Sequence, residues 1–318
     1  MRTLPRRLAA LLLAVPLVLA GCSGSGSSDG GSGGGSSAAL PAVTGKPDEA
    51  PTVKAGKGKP PKRLVTRTLE QGDGPKVGKG DLMVAQYVGE TWKGKSFGST
   101  WKQGQPIGLP IGVGKVFPGF DKGLVGVKAG SRVELSVPPK DAFGKKGNPQ
   151  AGIKGTDTLV FVVDVLGSHG AKEGAHGSPA QSPAPVPVNV SGKAPAQPKV
   201  TVDKGATAPS SLVSRTLVQG NGPEVKKGDL LVAQYTGLTL RNGKTFDSSW
   251  QRGQPVAFPI GTGQVISGWD KGLVGAKAGS RVLLSIPPAD AYGKKGNPQA
   301  GIKGTDTLVF VVDVLGSY

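Results

Sequence analysis

Residues Gly144 to Ser168, Gly-Lys-Lys-Gly-Asn-Pro-Gln-Ala-Gly-Ile-Lys-Gly-Thr-Asp-Thr-Leu-Val-Phe-Val-Val-Asp-Val-Leu-Gly-Ser, return without change as Gly293 to Ser317. A Gly/Asn/Pro-rich turn feeds a β-branched apolar run, so the stretch reads as loop and then strand. Further out, Leu64-Val-Thr-Arg-Thr-Leu-Glu-Gln-Gly-Asp-Gly-Pro returns as Leu212-Val-Ser-Arg-Thr-Leu-Val-Gln-Gly-Asn-Gly-Pro. The separation of the copies far exceeds a solenoid period, so a whole domain has been duplicated. In the second copy, Asp229-Leu-Leu-Val-Ala-Gln-Tyr-Thr-Gly and Arg281-Val-Leu-Leu-Ser-Ile-Pro alternate as strands do. Ser267-Gly-Trp-Asp-Lys-Gly-Leu-Val-Gly-Ala-Lys-Ala-Gly instead sets Trp269, Leu273 and Val274 at helical spacing, with Gly279 as a stop. Each copy is expected to be α+β, a twisted antiparallel sheet wrapped on one short helix.

The copies span residues 62–168 and 210–318, and the rest of the chain has a different composition. Residues 1–21 read as an export signal: Arg2, Arg6 and Arg7, then the apolar run Leu8 to Ala20. That run is shorter than the roughly 20 residues a membrane-spanning helix needs. It ends in Leu19-Ala20-Gly21-Cys22, which resembles the lipobox of bacterial lipoproteins. The resemblance implies lipidation of Cys22, a membrane anchor, and a location on the extracytoplasmic face of the cell membrane. Residues 22–61, rich in Gly, Ser and Pro, are expected to form a flexible tether. Residues 169–209 are expected to be an open Pro/Ala-rich linker, with Ser182-Pro-Ala-Pro-Val-Pro-Val extended and holding the domains apart.

Composition excludes several chemistries. The 39 Lys+Arg against 21 Asp+Glu give a net charge of +18. The basic residues are scattered, with no run of five or six, so a solvated basic surface is favoured over a nucleic-acid footprint. The two histidines, His169 and His176, fall in the second linker, which argues against a histidine triad or zinc site in either domain. A single cysteine, Cys22, permits no internal disulfide, and no cofactor is expected.

Five ordered motifs in the second copy carry a family resemblance: Gln234-Tyr-Thr-Gly, Gly243-Lys-Thr-Phe-Asp-Ser-Ser, Gln264-Val-Ile-Ser-Gly-Trp, Asp290-Ala-Tyr-Gly and Thr307-Leu-Val-Phe-Val-Val-Asp-Val-Leu. Each copy resembles a complete domain of the FKBP family of peptidyl-prolyl cis/trans isomerases. The resemblance implies an apolar pocket with Trp269 as its floor and Tyr235, Phe246, Val265, Ile266 and Phe310 as walls. The backbone N–H of Ile266 and the hydroxyl of Tyr292 would meet ligand carbonyls, and Asp247 would bond the Tyr235 hydroxyl. Val256 and Phe258 stand where the family has two aromatics, and Ile302 is placed among the substrate contacts. Implied ligands are proline-containing polypeptides and macrolide immunosuppressants, and the implied role is assisting the folding of exported proteins.

The first copy keeps Tyr87, Phe97, Val116 and Phe161 but departs elsewhere. Gly98 stands for Asp247, Lys115 for Gln264, Phe117 for Ile266, Phe120 for Trp269 and Phe143 for Tyr292. Its aromatic enclosure is expected to admit a prolyl ring with turnover below that of the second copy. Two other readings stay open: non-catalytic modules that grip proline segments as a holdase, and a wall-associated structural protein.

Overall fold

The computed structural model describes residues 40–180, 186–203 and 205–318; the signal, the Cys22 motif and the Gly/Ser tract lie outside them. In chain order the first half holds β1 (Val43–Thr44), β2 (Thr52–Val53), β3 (Val65–Glu70), β4 (Leu82–Thr91), β5 (Ser96–Ser99), α1 (Thr100–Gln103), β6 (Ile107–Pro110), α2 (Pro118–Leu124), β7 (Arg132–Val137) and β8 (Leu159–His169). The second half holds β9 (Ser178–Pro179), β10 (Val188–Ser191), β11 (Lys199–Val202), β12 (Val213–Gln219), β13 (Leu230–Thr239), β14 (Thr245–Ser248), α3 (Ser249–Arg252), β15 (Val256–Pro259), α4 (Ser267–Leu273), β16 (Arg281–Ile286) and β17 (Leu308–Ser317). The sheets run β3-β7-β8-β4-β5 and β14-β13-β17-β16-β12-β9, with β6 and β15 also paired to β4 and β13. Their strand pairs are antiparallel, so the α+β expectation stands.

In the second domain α4 lies on one face of the sheet, burying Trp269 and Leu273 against Leu284, Ile286, Phe310 and Val312. The helix ends at Leu273, short of the expected stop at Gly279, and Val274 is 39% exposed. The continuous apolar run of β17 has a physical cause. Leu308, Phe310, Val312 and Val314 face the helix side, while Val309 and Val311 enter a second core on the opposite face. A strand covered on both faces needs apolar residues at every position.

That second cover comes from the segment expected to be an open linker, of which Ser182 to Pro185 lies outside the described residues. β10 and β11 form a hairpin whose Val188, with Val186, is buried against Leu238, Leu240, Leu283, Val309 and Val311. Arg281 and Asp313, 3% and 0% exposed, pair at 2.6 Å, and Arg281 donates to the carbonyls of Gly192 (3.3 Å) and Ala196 (2.8 Å) in the hairpin loop. The tether differs from expectation in the same way from residue 40 onward. Its β1–β2 hairpin packs Val53 against Val88, Trp92, Val160 and Val162. Arg132, paired with Asp164, donates to the carbonyls of Gly45, Lys46 and Glu49. Interspersed Gly and Pro obscured two hairpins because each has only a few inward-facing valines. The duplicated unit is therefore an arm plus a domain.

The domains are also in contact rather than held apart. Leu82 and Val84 of β4 share a core with Leu230 and Val232 of β13 and with Leu315. Gln105 donates to the Gly228 carbonyl at 3.2 Å, and its counterpart Gln254 donates to the Gly80 carbonyl at 3.3 Å. His169, expected in the linker, ends β8 instead. It is 5% exposed, and its Nε2 lies 2.7 Å from the hydroxyl of Tyr318, the residue at the same place in the second copy. Equivalent residues meeting each other mark a self-complementary, two-fold-like interface.

Candidate functional site

Each wall of the second-domain site comes from a different element. β13 supplies Tyr235, β14 supplies Phe246 and Asp247, β15 supplies Val256 and Phe258, α4 supplies Trp269, and β17 supplies Phe310. With Val265, Ile266 and Tyr292 these line an open cavity of about 250 Å³. Trp269, 4% exposed, is its floor, with ring centroids 5.2 Å from Tyr235, 5.2 Å from Phe310 and 5.1 Å from Phe258. The first two contacts are edge-to-face, the arrangement ring quadrupoles favour. Gly237 makes this packing possible, since a Cβ there would come within 2.6 Å of Phe310 and 2.9 Å of Phe246.

The loop before α4 is held by Asp270, whose carboxylate accepts from the backbone N–H of Gly261 and of Gly263, each at 2.7 Å. This fixes Ile266, the residue preceding the helix, in extended conformation (φ −61°, ψ 144°). Its N–H donates to no acceptor among the described residues, which leaves it free for a carbonyl at the cavity edge. Lys271 (2.6 Å) and Ser267 (3.1 Å) both bond Asp290, tying α4 to the turn that carries Tyr292. The Lys271 bond holds the Asp290 carboxyl below its ordinary range. Tyr292 stands on the rim, 39% exposed.

The expected bond from the Tyr235 hydroxyl to Asp247 is present. Arg252, which sequence reading missed, completes a trio. It pairs with Asp247, donates to the Tyr235 hydroxyl at 2.9 Å, and lies 5.5 Å from that ring's centroid. Burial first, and then the Asp247 acceptor, push the Tyr235 phenol up to about 12, so it remains a donor at neutral pH. The position was legible in principle, because Ser248 caps α3 and Gly253 (φ 68°) ends it, fixing Arg252 one turn beyond Asp247. Ile302 does not reach the cavity. It is 3% exposed and belongs to the core beneath it.

In the first domain Tyr87, Phe97, Phe120, Phe143 and Phe161 gather at the equivalent place. Gly98 and Gln103 replace Asp247 and Arg252, and the Tyr87 hydroxyl bonds to no side chain among the described residues. The polar trio is therefore missing as a unit.

The family described as FKBP-type peptidyl-prolyl cis-trans isomerase matches residues 74–166 and again 222–315. An FK506-binding protein of Streptomyces anulatus is 40% identical over 111 residues, covering 35% of this chain and 90% of its own length. The chloroplastic isomerase FKBP13 of Arabidopsis thaliana is 45% identical over 116 residues, 35% of this chain and 54% of its own. Mouse FKBP9 is 30% identical over 235 residues, 74% of this chain but only 34% of the mouse protein. The chain belongs to the FKBP-type peptidyl-prolyl cis-trans isomerase family and is an enzyme of that class. It carries the family domain twice in tandem, each copy with its own packed arm.

Proposed function

We propose that the second domain is the main catalyst, acting on X-Pro bonds of exported polypeptides at the outer face of the cell membrane. The observation that carries the assignment is the open Trp269-floored cavity flanked by the Tyr235–Asp247–Arg252 trio, which the first domain lacks. Rotation about an X-Pro amide is slow because it breaks C–N conjugation, at a barrier of about 18–20 kcal/mol. A prolyl ring on Trp269 places the amide among Tyr235, Phe246 and Phe310, where little water solvates the charge-separated planar form. The twisted form, having lost that resonance, loses less on entering such a site. A carbonyl held by the Ile266 N–H, and another by the Tyr292 hydroxyl, orient the substrate through the twist. No nucleophile or proton transfer is needed, since tighter binding of the twisted amide than of the planar one lowers the barrier by itself.

The anchoring half of the reading rests on Leu19 to Cys22 and the apolar run before it. A lipid on Cys22 would hold the chain at the membrane, and its basic charge would add attraction to anionic lipid. A second reading, a domain without turnover, applies to the first copy because Gly98 and Phe143 remove its polar contacts. A protease-coupled proline-peptide assay on the full chain, with Trp269→Ala beside it, tests the catalytic half. Acceleration that survives Trp269→Ala undiminished removes the assignment to the second domain. Membrane fractionation and intact mass of wild type against Cys22→Ala test the anchor; an unmodified, released wild type removes it.

A further inference from the structure

The two pockets differ most in what stands over the floor. In the first domain the Phe117 ring centroid is 4.4 Å from Phe120, the floor, and 5.3 Å from Phe161, the wall, with the latter rings 30° apart and stacked. It is also 5.9 Å from Phe143, on the rim. One ring that touches floor, wall and rim of the same concavity is inside it. The backbone does not cause this, because Phe117 (φ −67°, ψ 152°) and its counterpart Ile266 (φ −61°, ψ 144°) share one conformation. The loop is pinned alike in both domains, Asp121 accepting from the N–H of Gly112 and Gly114 as Asp270 does from Gly261 and Gly263. Pro118 follows Phe117, and a residue before proline is kept extended, so the main chain has little freedom to carry the ring away. Withdrawal by side-chain rotation alone would expose the ring to water and forfeit three aromatic contacts.

We propose that Phe117 is a built-in occupant of the first pocket, standing where the prolyl ring of a ligand lies in the second. The proposal rests on the reading of the second pocket as a prolyl site. It replaces the expectation that the first enclosure admits a prolyl ring: the first domain excludes such ligands by occupancy, and the lost polar groups are a separate deficit. Removing Phe117 opens a second ligand site.

Calorimetric titration of the full chain with FK506 tests this. Wild type is expected to take up one equivalent. Gly98→Asp with Phe143→Tyr, which restores polar groups but keeps the occupant, is expected to remain at one. Adding Phe117→Ile is expected to give two, and Phe117→Leu serves in its place if the isoleucine variant does not fold. Two equivalents in wild type, or in the variant that keeps Phe117, overturn the proposal. So does a single equivalent in both folded Phe117 variants. The chain has four tryptophans, so the ligand-induced fluorescence change that Trp269→Phe abolishes reports the second pocket separately. No uptake by wild type removes the second-pocket reading, and a gain of one equivalent on losing Phe117 would still support the occupant. No uptake by any of the proteins overturns both.

Discussion

Replacing Asp313 by asparagine tests whether the arm is part of the folding unit. Asp313 is fully buried and accepts three hydrogen bonds: from Arg281 Nε at 2.6 Å, from Arg281 Nη2 at 2.8 Å and from the Ala175 N–H at 3.0 Å. Arg281, itself 3% exposed, holds the arm loop through Gly192 and Ala196. An asparagine keeps the shape but has one acceptor oxygen, so its NH₂ must face a donor, and the Arg281 cation loses its counter-charge. Breaking one side of a buried pair costs about 3–5 kcal/mol, because the other charge stays buried without compensation. For a unit of this size that corresponds to a midpoint fall on the order of 10–20 °C. Thermal and urea unfolding, with hydrogen exchange read at residues 186–203, measure it. Arm amides should lose protection together with the second domain, while proline-peptide turnover well below the midpoint is unchanged. The double replacement Arg281→Met/Asp313→Leu should recover much of the loss, since an apolar pair carries no stranded charge. A single-variant loss under about 1 kcal/mol would refute the argument that this pair clamps the arm.

A second domain cut at residue 210 should be less stable than one beginning at residue 171. It exposes the face made by Leu238, Leu240, Leu283, Val309 and Val311 and loses two buried valines, each worth about 1.5–3 kcal/mol; urea midpoints compare them. Trp269→Ala should abolish most turnover and cost about 3–5 kcal/mol of stability, whereas Trp269→Phe, matching Phe120, should keep the fold; paired assays and melts separate the effects. Asp247→Ala and Arg252→Ala should each lower kcat/KM roughly three- to tenfold, the double variant losing less than the product because the residues act as one trio. Tyr235 and Tyr318, both pushed up to about 12, should ionise two units above an ordinary phenol in an absorbance titration. Because raised phenol values favour the folded, neutral form, their stabilisation is complete below pH about 10 and is lost as pH rises toward 12.

The repeat and the strand segments were legible in the sequence because each depends on residue type at short spacing, whereas nearly every cavity wall came from the family resemblance of five ordered motifs. The resemblance carried by Gln234-Tyr-Thr-Gly and Gly243-Lys-Thr-Phe-Asp implied the pairing of Tyr235 with Asp247, and the structure holds that bond. The unbroken apolar run of β17 even recorded that both its faces are covered, without saying by what. Tertiary structure alone decided the rest. Arg252 joins the trio only because α3 turns it back over Tyr235, and Ile302 falls short of the cavity because its turn directs it into the core. The arms read as linkers since a few valines among Gly and Pro carry no period; their burial exists only opposite Leu283, Val309 and Val311. Phe117 is an unremarkable aromatic in the chain, and it becomes the occupant of a pocket only when Phe120, Phe143 and Phe161, from three distant segments, close around it. Local pattern fixes what each segment can form, and long-range packing selects which surfaces meet.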